Sequence, residues 1–362
     1  MKIRVNQLIE GSILADNVLS ATNKPLILKN TVVTNHIINV LNAFLIDEVE
    51  IQDALENGQE VQVEGKEKMQ TDRKEVGVKV EKSFYKQYIS AVNSYKQLYI
   101  GWQSGSQVDI SKVRHIILPL VEELLTNNLE ETFKLYHFSN IEDYLFHHSV
   151  SVALLSAFLA KKLGYKQGDI NQISITGLLC DSGMAKVDAS ITAKNITLTE
   201  KEYREIKQHP IYSYQLLKNV MSIKEGVKIG VLQHHERIDG SGYPLGVKGA
   251  QLHPYSKIVA LADTYQAMVS VRPYRSKQSP FKVLEQIIQD DFGRFDLSIV
   301  TELKKGLLKF SFGTKVRLSN GLSAEIVFID EQHPTRPMIK ILGKDEIISL
   351  KNRADLYIEE II

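Results

Sequence analysis

Six side chains in one short stretch carry the chemistry that can be read from this sequence. The segment LQHHERIDGSGYPLGVKGAQLHPYSKIVALADTYQAMVSVRPYR, residues 232–275, holds His234, His235, Asp239, Asp263, Arg272 and Arg275. Imidazole nitrogens and carboxylate oxygens together suit iron, manganese or zinc, and a metal held this way can activate water for hydrolysis. Three more candidates lie upstream: His148, Asp181 and His209. Each has a plainer reading when taken alone. A lone histidine at the start of an apolar helix is usually a satisfied core residue, Asp181 can cap the turn that follows it, and His209 before Pro210 can simply mark a helix end. Taken as one set, they read as a metal-ligand constellation. The residue before Asp181 is Cys180, the chain's only cysteine, which is either a small buried hydrophobe or one more ligand.

The elements around these residues must aim them. His148 lies at the start of HHSVSVALLSAFLAKKLG, where Val152, Leu155 and Leu159 share its face and turn it inward. Asp181 ends the apolar stretch ITGLLCDSGMAK and leads into the Ser182-Gly183 turn. Adjacent His234 and His235 can reach a common point only where the backbone leaves helical geometry, and Gly240, Gly242 and Pro244 of RIDGSGYP supply that break. Asp263 lies in the apolar helix KIVALADTYQAM, where an unpaired acid is costly. Further helices follow from spacing and caps. Ile110, Val113, Ile116, Ile117, Leu120, Val121, Leu124 and Leu125 make one apolar face despite Pro119; Thr199 with Glu202 is a capping box; Ser279-Pro280 is a cap followed by a first-turn proline. The aromatic residues of SFYKQYISAVNSYKQLY recur at helical spacing and are expected to pack within the chain rather than across a dimer, and Trp102 carries no functional argument.

The flanks have a different texture. KPLILKNTVVT, a helix-like NHIINVLNAFL and DEVEIQ suggest a small α/β module, and the charged stretch from Asp53 to Lys79 reads as a linker or exposed hairpin. Near the other end, two alternating runs surround Asn320-Gly321, a strong hairpin signal, and RPMIKILG and ADLYIEEI extend a β-rich tail. The expected fold class is mainly α. Residues 1–65 form a small α/β module, 66–100 a linker and connecting helix, 101–308 a helical domain and 309–362 a β-rich subdomain.

Composition narrows the partners. A chain of 362 residues is long enough for two or three domains. A net charge of +1 gives no electrostatic case for a nucleic-acid polymer. One cysteine cannot form an internal disulfide and MKIRVNQLIEGS lacks an apolar signal core, so the cytoplasm is the expected location. No apolar run approaches the ~18 residues that a membrane-spanning helix needs.

HHERIDGSGYPLGVKG, followed by ADTYQAM and RPYR, resembles the HD-GYP family, the metal-dependent phosphodiesterases that open the bacterial second messenger cyclic di-GMP. The resemblance spans roughly residues 100–305 and implies a helical HD-type core with two divalent metals, iron or manganese and alternatively zinc. Carried over residue by residue, it implies a first site of His148, Cys180, Asp181 and Asp263, and a second of Asp181, His209, His234 and His235, with Asp181 shared and catalytic. It also implies ligand contacts from Gly242, Tyr243 and Pro244 of the turn, and from Arg272 and Arg275, whose planar forks suit phosphate.

The match has gaps. Cys180 stands where the family has a ligand histidine. A thiolate is a good zinc or iron ligand at about 2.3 Å, but sulfur is one bond from Cβ where the far imidazole nitrogen is three. The first site is therefore expected to be weak or empty unless Cys180 reaches the metal. The family's Ile-Gly-Lys turn reads Ser182-Gly183-Met184, so its phosphate lysine is missing, a loss of about 2–4 kcal/mol if it acts like other single electrostatic donors. Lys186 is expected to face elsewhere. Tyr144 replaces the glutamate that holds a third metal in some members, Ser213 a usual glycine, and Gln266 the second acid of the Asp-x-Tyr-Asp-Ala-Met pattern. The resulting expectation is a protein that binds cyclic di-GMP or a related cyclic dinucleotide and hydrolyses it slowly. A catalytically inactive receptor or adaptor, as a homodimer or with a signalling partner, is the alternative, and a metal phosphohydrolase acting on another nucleotide is the third.

Overall fold

A computed structural model describes the whole chain except residues 1, 9–10, 20–24, 35–36, 39–40, 42–45, 47, 56–74, 193, 195–197, 272–276, 290–292, 310–311, 331 and 345. Most of the helix expected over NHIINVLNAFL and the expected linker or hairpin after Asp53 lie outside the described residues, as do Arg272 and Arg275. Two compact units make up the chain, Met1–Lys86 and Gln87–Ile362.

The first unit is built on three antiparallel strands, β1 (Lys2–Arg4), β2 (Ser12–Leu14) and β5 (Glu48–Leu55), in the order β1-β5-β2. Ile3 stands opposite Val49, and alternation turns both inward. A short hairpin of β3 (Val18–Leu19) and β4 (Pro25–Ile27) lies in the same unit. Leu14, Val33, Leu41 and Ile51 are its fully buried centre.

Helix α1 (Glu75–Gln103) carries the chain across the division between the units. Its later aromatic residues pack inside the second unit: the rings of Tyr95 and Trp102 meet edge to face at 5.6 Å, and Tyr99 meets Phe146 at 5.3 Å. The expected internal use of this stripe is the one found. Asp109 then caps α2 (Ile110–Asn127) by accepting from the Ser111 and Lys112 amides. The expected apolar face of α2 is buried except at Ile116, which is half-buried, and the helix runs on through Pro119.

The centre of the unit is α3 (Tyr144–Lys162), buried without interruption from His147 to Ala160. It has no polar face because it is wrapped on every side. On one side runs α4 (Gln167–Leu179), and the two come so close at Gly177 that an added Cβ would stand 3.0 Å from the Ala153 Cα. After α4 comes a 3-10 turn, Ser182–Lys186, and then the short α5 (Ala189–Thr192) and α6 (Glu200–Ile206). The capping box on α6 is formed as expected. α7 (His209–Leu217) packs on the 3-10 turn and on α8 (Glu225–Gln233), α8 packs on α4, and α9 (Pro254–Val269) packs on both α3 and α4; α10 (Pro280–Gln289) and α11 (Leu297–Lys309) follow.

The tail is a five-stranded antiparallel sheet of β6 (Lys315–Leu318), β7 (Ser323–Phe328), β8 (Met338–Ile341), β9 (Ile347–Ser349) and β10 (Ile358–Ile361), in the order β10-β6-β7-β8-β9. The Asn320-Gly321 turn joins β6 to β7, with Gly321 at φ +81°. Val316, Leu318, Ile326, Ile339 and Ile358 form its core together with Phe281 of α10, so the sheet shares a core with the helices and belongs to their unit.

Candidate metal centre

The six expected nitrogen and oxygen ligands come from five elements. His148 sits in the second turn of α3, Asp181 just past the end of α4, His209 on the first position of α7, His234 and His235 directly after α8, and Asp263 two-thirds of the way along α9. Helix ends supply most of them because a terminal residue can aim its side chain past the helix axis, where a residue in mid-helix is tied to one face. Their donor atoms fall into two groups, each within 4.8 Å: Asp181 with His209, His234 and His235, and His148 with Asp181 and Asp263. Asp181 belongs to both, and its two oxygens divide the work. Oδ1 lies 3.2 Å from His209 Nε2 and 3.6 Å from His234 Nε2, while Oδ2 lies 3.5 Å from His148 Nε2. His148 Nε2 is also 2.8 Å from Asp263 Oδ1, and Asp263 Oδ2 is 3.7 Å from His235 Nδ1.

Hydrogen bonds fix which nitrogens face inward. His209 Nδ1 donates to the Ile206 carbonyl and His234 Nδ1 to the Val231 carbonyl, each at 2.7 Å. A carbonyl can only accept, so both Nδ1 atoms carry a proton, and in that tautomer the rings aim their Nε2 lone pairs at the centre. Those two Nε2 atoms are 3.1 Å apart and both face Asp181 Oδ1. Three lone-pair acceptors converging on one point repel unless a cation lies among them. That is the arrangement a divalent metal needs, with backbone carbonyls orienting the rings.

The carboxylates are charged as ligands must be. Burial pushes the Asp181 carboxyl up, but when the facing imidazoles carry a proton, hydrogen bonds from His209 and His234 and the charges of His209 and His148 outweigh it and hold it well below the usual carboxylate range, the compensation that a metal cation would otherwise supply. Asp263 follows the same pattern, with burial opposed by His148 and His235 and the net direction downward. Burial, assisted by His234, pushes His235 well below its ordinary value and keeps it neutral.

Beside the second group stands the turn of residues 240–246. Tyr243 stacks on His235, with ring centres 4.7 Å apart and planes 27° from parallel. Burial, then the Asp263 and Asp181 carboxylates, push its phenol upward, so the hydroxyl stays a neutral donor. Gly242 serves packing: an added Cβ would stand 2.4 Å from the Glu236 Cα and 2.5 Å from the His235 carbonyl oxygen. The peptide between Tyr243 and Pro244 is cis. Glu236 holds the turn from beneath. It is buried, and its Oε1 accepts from the Leu245 amide at 2.6 Å and the Gly246 amide at 3.1 Å. Sequence reasoning misses Glu236, although an acid directly after two candidate ligand histidines is a signal that leads to it. Asp239 stays outside the centre and closes a local turn by accepting from the Ser241 amide and hydroxyl at 2.9 and 2.7 Å.

The family profile described as HD domain matches residues 119–299, half of the chain. The chain belongs to the HD domain family. A cyclic di-GMP phosphodiesterase of Pseudomonas aeruginosa is 29% identical over 217 residues, which are 59% of this chain and 51% of that protein. A 3'3'-cGAMP-specific phosphodiesterase of Vibrio cholerae is 36% identical over 157 residues, 43% of this chain and 36% of that protein. The chain thus spans about half the length, or less, of these curated relatives. The solved structure of Bd1817, a HDG"Y"P protein from Bdellovibrio bacteriovorus, matches with a TM-score of 0.53 at 17% identity, covering 85% of this chain and 99% of that one, a likeness of fold.

Set against the HD-GYP pattern that its sequence resembles, the chain is altered around the first group. Cys180 is fully buried, and its thiol donates to the Gly177 carbonyl of its own helix at 3.2 Å. It belongs to neither donor group. Burial, followed by the two site carboxylates, pushes the thiol well above its ordinary range. The short side chain satisfies itself on α4 where a histidine would have reached outward, so the structure leaves it out of the ligand set. Tyr144, expected at the place of the third-metal glutamate, stacks on His148, with ring centres 5.3 Å apart. Lys186 does face elsewhere, donating to the Trp102 carbonyl at 2.6 Å.

Ser213 has a use the sequence did not suggest. Its hydroxyl donates to the Cys180 carbonyl at 2.7 Å and accepts from the Gly183 amide at 2.6 Å, tying the turn after Asp181 to α7. Gly183 is pressed so close to that helix that an added Cβ would lie 2.1 Å from the His209 carbonyl oxygen and 2.4 Å from the Ser213 nitrogen. Both obstacles are backbone. Gly183→Ala is therefore expected to destabilise the fold by about 3 kcal/mol, read as a lowered denaturation midpoint in urea; an unchanged midpoint would contradict the close approach.

Proposed function

We propose that this centre holds two divalent metals, iron or manganese, and opens a phosphodiester bond of a cyclic dinucleotide such as cyclic di-GMP, at a reduced rate, in the cytoplasm. The observation that carries this reading is the two donor groups joined by Asp181, one oxygen to each. His209, His234 and His235 with Asp181 would hold one metal, and His148, Asp181 and Asp263 the other. When bound, such metals supply Lewis acidity, lowering the pKa of water and neutralising charge that builds on the phosphate. The chain's own residues do the rest. Asp181 fixes the spacing of the two halves, the Ile206 and Val231 carbonyls hold His209 and His234 in their ligating tautomers, and the neutral Tyr243 hydroxyl offers a hydrogen bond to the bound dinucleotide. Arg272 and Arg275 are proposed as its phosphate contacts. Relatives that act on cyclic di-GMP or 3'3'-cGAMP support the substrate class.

The reduced rate follows from the first group, which has three donors with Cys180 turned away, and from Met184 in the place of a lysine. The same observation favours a second reading, a receptor that binds the dinucleotide without cleaving it. Native mass spectrometry of anaerobically purified protein with cyclic di-GMP decides between them. Two metals per chain with linear dinucleotide accumulating is the expected result. One metal with intact ligand retained would establish the receptor, and failure to bind the dinucleotide with the metals in place would end both.

A further inference from the structure

Lys207 lies in the short link between α6 and α7, two positions before His209. Its ammonium stands over two rings, 4.7 Å from the centre of Tyr203 and 5.1 Å from that of Tyr243. Tyr243 is the ring stacked on His235, and His235 meets His209 edge to face at 4.9 Å. One aromatic ring therefore separates this cation from a metal ligand. Among the described residues the ammonium has no hydrogen-bond or ion-pair partner; its contacts are the two rings.

The rings set its position without satisfying it. An ammonium has three donors, and an aromatic face attracts the charge while accepting almost nothing from N–H groups. Lys207 is thus a cation held half-buried at the rim of the centre with its donors unspent. The turn after Asp181 supplies no such cation: position 184 is methionine, and Lys186 is committed to the Trp102 carbonyl. The geometry points to Lys207 as the residue that contacts a phosphodiester oxygen of the bound ligand, in place of the lysine missing from the turn at 182–184. This rests on the reading of the centre as a phosphodiester site. The ligand chemistry is a phosphodiester monoanion whose oxygen accepts from the ammonium beside the Tyr243 ring.

The test is equilibrium binding to the metal-loaded protein with three probes: a phosphorothioate analogue of cyclic di-GMP that resists cleavage, bis(p-nitrophenyl) phosphate as a phosphodiester without a base, and guanosine as a base without a phosphate. Lys207→Met keeps the apolar stem against the rings and removes only the charge; Lys207→Gln serves as a second variant. Metal content and melting temperature are measured alongside. The expected result is affinity lowered about 10- to 100-fold for both phosphodiesters, as for loss of one charged hydrogen bond, with guanosine unchanged. Unchanged affinity for the phosphodiesters in both variants overturns the proposal. So does an equal loss for guanosine, which would mean that Lys207 only steadies Tyr243, and so does failure of the wild type to bind either phosphodiester. If the wild type binds bis(p-nitrophenyl) phosphate in a Lys207-dependent way and ignores the dinucleotide, this inference stands and the proposed substrate falls.

Discussion

Asp181→Asn is expected to empty both halves of the centre at once. The substitution changes almost nothing in shape, yet it removes the charge that both donor groups share and replaces one carboxylate oxygen with an amide NH2 that cannot ligate. Whichever way the amide turns, one group loses its link: the Oδ1 side faces His209 and His234, and the Oδ2 side faces His148. Loss of a residue that merely orients a ligand costs about 10- to 100-fold in metal affinity, so loss of a ligand common to both sites should cost more. Elemental analysis after desalting should find less than one metal per chain, and any dinucleotide cleavage should disappear with it. Retention of two metals per chain would show that Asp181 is not shared and would remove the main support for a binuclear centre. The alanine variant should behave alike, since it is the carboxylate that matters.

The second large effect is on stability. Asp181 and Asp263 are both buried and both charged, and burying a carboxylate costs several kcal/mol unless a cation compensates it. Metals that bind only the folded chain add about 2.7 kcal/mol per site when they exceed their dissociation constant a hundredfold. Two occupied sites, at about 2–4 °C per kcal/mol, predict that stripping the protein with a chelator lowers its melting temperature by roughly 10 °C or more, reversed by adding Mn(II). Half that shift, with one metal restored, would mean that the group of His148, Asp181 and Asp263 does not fill, and would favour the receptor. No shift at all would separate the buried histidines and carboxylates from metal altogether.

The parts of this architecture that were legible in the sequence are those written in local chemistry. The capping box at Thr199 and Glu202 and the hairpin at Asn320-Gly321 appear where short-range rules put them, and a helix starts at Pro280 as expected, although the buried Ser279 hydroxyl makes no capping bond among the described residues. The candidate ligands that the structure brings together were legible because their types are rare in apolar helices and several sit at helix ends. What remained hidden depends on approach between distant segments. The bond that turns the Cys180 thiol back onto Gly177, the bridge that Ser213 makes to Cys180 and Gly183, the support that Glu236 gives to the turn, and the two rings around Lys207 arise only when helices pack. Ser213 is the plainest case. As a departure from a family pattern it looked like a mild loss, and in the fold its hydroxyl makes two buried bonds.

The two halves of the centre also store their instructions differently. His209 and His234 each find their orienting carbonyl three residues earlier in their own segment, at Ile206 and Val231. Their aim is written in a single turn of chain and travels with it. His148 has no such anchor on Nδ1, and its other nitrogen takes its bearing from Asp263, 115 residues away. One half is thus a self-contained instruction, while the other is an agreement between α3 and α9 that any repacking of either helix reopens. Under mutational drift the second kind of instruction is the first to blur, so an accumulating series of core substitutions should erode the His148 side long before the paired histidines lose their aim.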